Sequence, residues 1–528
     1  MPGAMNRRTQ WEVVATGALL LFSVCMFALH FVHLGADFPN HSPWMDWAKY
    51  TDEGWYGDAA IRYYLHGTWR VPGDFNPGAA LPVWPLLEAV LFRFTGVGIV
   101  AARALAVAVF GGIALCSFLL LNGSTRQSGR TARSRSVFAA AAAALLTTSP
   151  FVYVFTRMAI LEPLLILLLL CALLLAGSVA TTNTTRSRVV RLTLVGLLAA
   201  LMVGTKTTAI FLLPAVVSAL LGSTRWSVRP ALRNIGIAAL CAALPASLYL
   251  LLLWRRGLFA DVRYLFTAND YTGITRQTIW PVIWEALKDG WWTGAVLYPA
   301  TLAILLLLLF HRNVWKDSVF TSLALWAGGY LAYIAYHANF QPRYYLVVAV
   351  PLILLFVRGA FHLQIWRPVT LYALAPIFVV MLALDVHDMS RYVLHPEYSF
   401  QSAAAKVERV VMAEPSHSHI VLSISGSNLS LMTGLPSICD DFGTMQLEDR
   451  IAAYRPGWFV TWNYVEDDKM QALSRFYHLT RMVSMPAMDD PERNLMIVYR
   501  LDERNGVLPA LHGRKRERLS EADSKAQS

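Results

Sequence analysis

Three carboxylates stand close together in the stretch 50–72, which reads YTDEGWYGDAAIRYYLHGTWRVP and follows the first strongly apolar run of the chain. They are Asp52, Glu53 and Asp58. Carboxylates at this spacing could hold a metal ion, act as a general base that activates a hydroxyl group, or remain solvated charges of a loop. On spacing alone the solvated loop is favoured, because two adjacent acids are a weak signal.

The rest of the chain has the composition of a membrane protein. Its 528 residues have a mean hydropathy of +0.45, with 56% hydrophobic and 15% charged residues. The formal net charge of +11 could suggest a nucleic-acid partner, but the arginines cluster in short gaps between apolar runs, where they set membrane topology. We therefore exclude nucleic-acid binding and expect an integral membrane protein, with residues 13–34 as an uncleaved first span.

About eleven apolar runs are predicted to enter the bilayer, each judged against the roughly 17 to 25 residues that a crossing needs. Arg-rich gaps stay in the cytoplasm, so their alternation along the chain predicts that the N-terminus is cytoplasmic. The protein is predicted to lie in the plasma or inner membrane of the cell. The predicted spans are 13–34, 98–121, 137–155, 162–180, 190–204, 208–221, 234–254, 292–310, 318–336, 344–358 and 368–386.

Residues 192–221 could instead form one long helix with Lys206 at its middle. A lone lysine at the centre of such a helix costs about 2.5 to 3.5 kcal/mol even on the lenient insertion scale. One crossing would also put the flanking Arg clusters on opposite sides of the membrane. Two short segments that meet at GTKTT, 204–208, remove both problems, so we predict two segments with Lys206 at the outer surface.

With this topology the loop 35–98 lies on the exoplasmic face. Its part LPVWPLLEAVLFRFTGVG, 81–98, contains Glu88 and Arg93, which make it a poor span. It is predicted to be a helix that lies in the membrane interface, with its tryptophan and phenylalanines at headgroup depth.

The composition changes after residue 387, where the α-helical polytopic membrane domain is predicted to end. SFQSAAAKVERVVMA has helical spacing, whereas HIVLSIS, GWFVTWN and NLMIVYRL have the features of short strands. We predict a small exoplasmic α/β domain at 388–503. The charged tail at 504–528 is predicted to be disordered.

The stretch 50–72 also contains a longer pattern. An Asp-Glu pair is followed by a Tyr three residues past the Glu, a Gly-x-Trp-x-x-Pro turn and a proline-rich approach to the next membrane helix. The string resembles the first exoplasmic loop of the GT-C polyprenyl-phosphate-sugar transferases, of the protein O-mannosyltransferase and lipid A aminoarabinose transferase type. The matching residues are Asp52, Glu53, Tyr56, Gly67, Trp69 and Pro72, then FNPGAALPVWPLLEAVLFRFTG, with looser echoes in TRMAILEP, GTKTT and QPRYYLVVAVP.

This resemblance implies a GT-C fold and a glycosyltransferase. The enzyme would move a hexosyl or pentosyl group from a polyprenyl-phosphate sugar donor to a lipid, glycan or protein acceptor, with inversion at the anomeric carbon. An acid of the first-loop pair is the family's candidate base, so Asp52 takes that role by position, with Glu53 beside it. No cofactor is expected, and a divalent metal ion stays open as an alternative that no residue pattern indicates.

A phosphate that leaves near the bilayer surface needs positive charge and hydrogen-bond donors. On the predicted topology Arg157, Lys206 and Arg343 lie at that depth. Glu162 stands where the family often has an aspartate. Each has a structural alternative: a cation could snorkel at a helix end or pair with a loop carboxylate, and the glutamate could favour a helix start. The predicted substrate-binding residues are Asp58, Arg157, Glu162, Lys206, Arg343 and Tyr344.

The pattern departs from the family at one position. The aminoarabinose transferases have a Lys before the loop's later proline that meets the donor phosphate, and here Asn76 precedes Pro77. Another cation must take over, or the donor differs. Two other classes stay open, a polytopic transporter, whose coupling charges would lie near the bilayer midplane, and a non-catalytic scaffold for polysaccharide assembly.

Overall fold

The computed structural model describes residues 7–37, 52–74, 76–123, 130–267, 279–336, 341–423, 426–439, 443, 445–463, 467–487 and 494–504. These residues form twenty α-helices and five β-strands. Helices α1 to α8 are Arg7–Leu29, Glu53–His66, Val83–Thr95, Ile99–Asn122, Arg130–Thr148, Pro150–Thr156, Leu161–Ser178 and Thr185–Thr205. Helices α9 to α16 are Leu213–Ser223, Val228–Arg255, Phe259–Thr267, Ile279–Lys288, Leu297–Leu308, Ser318–Tyr336, Leu346–Trp366 and Thr370–Leu394. Helices α17 to α20 are Ser399–Met412, Ser427–Thr433, Leu447–Tyr454 and Asp467–Phe476.

Apolar helices make up most of the described residues up to the end of α16. Within the described part of the chain, eight helices are long and apolar enough to cross a membrane, or up to ten if each of two bent pairs forms one span. The bent pairs are α5 with α6 and α12 with α13, and a shorter apolar helix covers Thr207–Ser223. Each of the eleven predicted runs falls on one of these elements, which confirms an α-helical polytopic membrane protein.

The helix is interrupted at Lys206, as we predicted from the free-energy cost of placing a lysine at the centre of a membrane helix. Helix α8 ends at Thr205, and Lys206 is extended, with φ −153° and ψ 125°. A 3-10 turn over Thr207–Leu212 then leads into α9, which has Pro214 in its first turn. The ring of Pro214 fits there because the first N–H groups of a helix have no partner within it.

Two sets of charges lie at opposite ends of these helices. Arg343 lies just before the start of α15, and Arg358 is the thirteenth of its 21 residues, so about 20 Å of helix separates the two. Asp317 accepts from Arg358 Nη2 and His362 Nε2, both at 2.7 Å. This second group therefore lies well away from Arg343, towards the other end of α15.

Helices α2 and α3 lie in the described part of the first loop, and α3 has one buried and one exposed face. Trp84 is fully buried and Phe92 nearly so, whereas Phe94 is 80% exposed. The buried face of α3 packs against α2, where Gly57 lets the two helices approach. That the tryptophan and phenylalanines of this helix lie at headgroup depth remains a prediction.

The C-terminal part contains one five-stranded sheet of order β2-β1-β3-β5-β4. Strands β1 to β3 are parallel and β5 is antiparallel to both of its neighbours. Helix α17 and three strands were predicted, but β2 and β4 were not. Helix α16 continues to Leu394, past the predicted boundary at 387, and the predicted tail from 505 onward lies outside the described residues. The strands β1 to β5 are Val421–Ser423, Ser437–Cys439, Trp458–Trp462, Tyr477–Pro486 and Leu495–Glu503.

Candidate active site

Asp52 and Arg343 form an ion pair at the junction of the first loop and α15. Asp52 is the N-cap residue of α2, and Arg343 lies in the 3-10 turn Pro342–Tyr345 that starts α15. Arg343 Nη2 donates to Asp52 Oδ2 at 2.6 Å, and the two side chains are 15% and 25% exposed. The pair is thus partly accessible, whereas the other ion pairs of the first loop are buried.

A second ion pair lies near the first, and both pairs have their cation close to the Tyr344 ring. Lys206 Nζ donates to Glu162 Oε1 and is 4.1 Å from the centre of the Tyr344 ring. The Arg343 guanidinium is 5.2 Å from the same ring. The structure therefore brings together five of the predicted site residues, Asp52, Glu162, Lys206, Arg343 and Tyr344. We refer to these five residues as the charge cluster.

Glu162 has a carboxylate oxygen whose hydrogen-bonding capacity is not used. Its Oε2 atom is buried and has no hydrogen-bond partner among the described residues, and the residue is fully buried at the first turn of α7. A buried acceptor without a donor costs about 1 to 3 kcal/mol. Lys206 has three N–H donors, and the hydrogen bond to Glu162 takes one of them. The cluster can therefore accept further polar groups of a ligand.

Tyrosines form one wall of the charge cluster. The Tyr56 hydroxyl donates to Asp52 Oδ2 over a long 3.4 Å, and burial raises the pKa of Tyr56 well above its usual range, so this hydroxyl stays a donor. On α14, the Tyr333 ring is 6.2 Å from that of Tyr344, and Tyr330 packs against Tyr333 at 5.1 Å. Tyr330 and Tyr333 lie on an apolar span and belong to no recognisable motif, so sequence reasoning missed them.

Glu53 lies next to Asp52 in the chain but in different surroundings. Arg103 donates to both Glu53 oxygens, at 2.8 and 2.7 Å, and the backbone N–H of Ala159 donates to Oε1 at 2.9 Å. Glu53 is 1% exposed. These contacts fix the start of α2 to α4 and to the α6–α7 turn. Arg103 was missed, yet an arginine in the first turns of an apolar span is itself a signal that a partner must exist.

Asp58 lies outside the charge cluster, at the contact between α2 and the C-terminal domain. Its carboxylate accepts from Arg62 Nη2 at 3.1 Å and from Ser427 Oγ. Arg62 also donates to Asp74, which accepts from Arg450 Nη1 at 2.6 Å. Burial raises the pKa of Asp58, and Arg62 opposes that shift. These buried contacts connect two domains, a role that the sequence pattern did not indicate.

Two further residues considered in the sequence analysis, Arg157 and Asn76, bind backbone groups. Arg157 Nη2 donates to the carbonyls of Val32 and His33 at 2.5 and 2.8 Å, which holds the chain where it leaves α1. Asn76 Nδ2 donates to the carbonyls of Val71 and Asp74, both at 2.8 Å. Asn76 therefore shapes the loop. The cations of the charge cluster are Arg343, which contacts the candidate base Asp52, and Lys206, which lies near Tyr344.

The chemistry of the charge cluster follows from its composition. A partly exposed carboxylate can accept a proton, and two neighbouring cations can bind an anionic group. Among the described residues no group of three or more His, Cys, Asp and Glu is placed to hold a metal ion.

The comparison with solved structures gives the fold. No protein-family model and no curated protein matches the chain by sequence. The apo crystal structure of ArnT from Cupriavidus metallidurans superposes with a TM-score of 0.59 at 12% identity, over 92% of this chain and 98% of that chain. The structure of the same ArnT bound to undecaprenyl phosphate gives 0.55 at 12% identity, over 93% and 98%. The chain therefore has the GT-C fold that its first-loop motif predicted.

Proposed function

We propose that this protein is an inverting glycosyltransferase that uses a polyprenyl-phosphate sugar on the exoplasmic side of the membrane. The observation that carries the proposal is the charge cluster, in which the candidate base Asp52 lies against the cation Arg343. The transfer chemistry needs these two groups near the bilayer surface, one to take a proton and one to stabilise a leaving phosphate. The first-loop motif and the shared fold of ArnT, one structure of which holds undecaprenyl phosphate, support the donor class.

In the proposed reaction an acceptor hydroxyl attacks the anomeric carbon of the sugar. The new glycosidic bond forms as the bond from that carbon to the phosphate oxygen breaks on the opposite face. Asp52 takes the hydroxyl proton, and the electron pair of the broken bond leaves with polyprenyl phosphate. Arg343 and Lys206 would stabilise its charge through charge-assisted hydrogen bonds.

The ion pair between Asp52 and Arg343 suits this sequence of events. Arginine has five N–H donors in a planar fork, so an incoming phosphate can draw the guanidinium towards itself. Asp52 then loses its strongest partner and becomes a better proton acceptor. Glu162 Oε2, which is buried and lacks a donor among the described residues, would accept a hydrogen bond from a sugar hydroxyl.

The proposed orientation puts the charge cluster and the C-terminal domain outside the cytoplasm. The Arg-rich gaps and the Asp317 group then lie at the cytoplasmic ends of the helices. The acceptor would be a lipid, a glycan or a protein that reaches the outer surface. No cofactor is proposed.

Release of undecaprenyl phosphate from a panel of undecaprenyl-phosphate hexoses and pentoses tests the proposal. The full chain in lipid nanodiscs is mixed with each donor and with cell-envelope extract as the acceptor source. Asp52→Asn keeps the shape and removes the basicity, so release should fall about 10²- to 10⁴-fold while donor binding survives. Asp502→Asn, at a 39% exposed side chain of β5, is the matched control. Near-normal release by Asp52→Asn would remove the catalytic role, and no release by the unmodified chain from any donor would contradict the donor class.

A further inference from the structure

Helix α2 begins beside the C-terminal domain, one residue after the candidate base Asp52. The backbone N–H of Gly54 donates to Asn428 Oδ1 at 2.6 Å, across 374 residues of sequence. Asn428 is the second residue of α18 and is 2% exposed. A Cβ atom at Gly54 would lie 2.3 Å from the backbone N of Asn428, so glycine is needed for this close approach.

The contact extends over one turn of α2. Ser427, the residue before Asn428, donates to Asp58, which lies four residues after Gly54. Helix α18 connects the parallel strands β1 and β2, so its start lies at their carboxyl ends. Ligands bind at this edge in many open α/β sheets, and here α2 of the membrane domain occupies it.

Asp52 occupies the position that would normally cap this helix. Aspartate is a preferred N-cap residue, because its carboxylate accepts from the second or third N–H group of the helix. In this structure Asp52 makes no such hydrogen bond, and its carboxylate binds Arg343 instead. The N–H group of Gly54, the second of α2, is satisfied by Asn428.

We propose that Asn428 is a positioning residue that caps α2 from the C-terminal domain and thereby keeps the Asp52 carboxylate in the active site. Without the Asn428 oxygen, the Asp52 side chain is an alternative acceptor for the unpaired N–H group at the start of its own helix. It would rotate towards that group and leave Arg343. The inference rests on the proposed function in one respect, that Asp52 is the base, and it makes the C-terminal domain a part of the catalytic machinery.

The first test compares Asn428→Ala with a matched control in the undecaprenyl-phosphate sugar assay. Asn428→Ala should lower kcat roughly tenfold and leave the KM for the donor within about twofold, because the base moves and the phosphate ligands stay. Asn428→Asp keeps the accepting oxygen, and Nδ2 has no hydrogen-bond partner among the described residues, so this variant should restore most of kcat. Asn463→Ala removes a similar bond within the same domain, Leu495 N to Asn463 Oδ1 at 3.1 Å, and should leave kcat unchanged.

The second test does not depend on activity. Amide hydrogen exchange of the segment 53–57 in the full chain should be faster in Asn428→Ala than in the unmodified protein or in Asn463→Ala. Unchanged exchange would overturn the inference whatever the donor result. Faster exchange with an unchanged kcat would overturn the positioning role and leave the proposed function intact. If the unmodified chain used no donor, the proposed function would fail, and faster exchange would still support the cap.

Discussion

Arg343 donates to Asp52 at 2.6 Å, although the two residues are 291 positions apart in the chain. Such a pair can be a fixed structural contact or a contact that a ligand replaces. Both side chains keep some exposure, and the lysine of the Lys206–Glu162 pair is close to the Tyr344 ring, as Arg343 is. Glu162 Oε2 is buried and has no donor within the described part of the chain. These properties favour a pair that a phosphate group can open.

Replacement of Arg343 should affect the donor more than the acceptor. Arg343→Gln removes charge-assisted hydrogen bonds worth about 1.5 to 3 kcal/mol, so kcat/KM for the undecaprenyl-phosphate sugar should fall roughly 10- to 150-fold. Steady-state kinetics with each substrate varied in turn measures this. Arg500→Gln, which breaks a pair with Glu414 in the C-terminal domain, should have no effect. Equal losses for both substrates would contradict a role in phosphate binding.

Loss of Lys206 alone should destabilise the fold more than loss of the whole Lys206–Glu162 pair. Lys206→Gln leaves the fully buried Glu162 carboxylate without its counter-charge, which costs about 3 to 5 kcal/mol. In Lys206→Gln/Glu162→Gln no charge remains, and most of that stability should return. Thermal unfolding of the nanodisc-embedded chain measures both variants, and a double variant as unstable as the single one would show that the pair is not coupled.

The sequence predicted those parts of the site that have a local cause. Burying a lysine within an apolar membrane helix costs free energy, so the interruption of the helix at Lys206 could be predicted from the neighbouring residues. The Asp-Glu pair could be found because its motif is contiguous. Arg103 is different, since its partner Glu53 lies 50 residues away and only the packing of α2 against α4 brings them together.

The contact between the two domains could not be predicted for the same reason. Asp74 lies in a loop and Arg450 in the eight-residue helix α19, and neither belongs to a motif. Their 2.6 Å contact depends on the docking of the C-terminal sheet beside the first loop. Strand β2 has three residues, too few for an alternation of apolar and polar residues to be recognised.

Glu53 is expected to support the candidate site by holding α2 in position. A double-mutant cycle of Glu53→Gln and Arg103→Gln should give a coupling free energy above about 1 kcal/mol, because the pair is buried and bidentate. The pair of Glu285 and Lys288, with side chains 45% and 59% exposed, should show no measurable coupling. A Glu53–Arg103 coupling as small as that of this exposed pair would mean that Glu53 does not fix the loop.

The free energy of unfolding is expected to depend on pH because of Glu88, a residue of α3 that packs against α2. Its carboxyl group is fully buried in α3. A Cβ atom at Gly57 would lie 2.1 Å from Glu88 Oε2, so the carboxyl group lies directly against α2. Burial raises the pKa of Glu88 well above its usual range, a hydrogen bond from the Trp84 side chain opposes the rise, and the charge of Glu53 adds to it.

The sign of the effect follows from proton binding. Above the ordinary pKa of a glutamate, about 4.3, the unfolded chain loses this proton while the folded chain keeps it. The folded state then binds more protons than the unfolded state, so the contribution of Glu88 to stability falls as the pH rises towards the pKa of the folded state. Glu88→Gln stays neutral at every pH, and its thermal unfolding over about pH 5 to 8 should lack this fall and lie above the unmodified protein at neutral pH. Glu285→Gln, at an exposed carboxylate, should follow the unmodified protein, and a Glu88→Gln curve with the same slope as the unmodified protein would show that Glu88 is ionised in the fold.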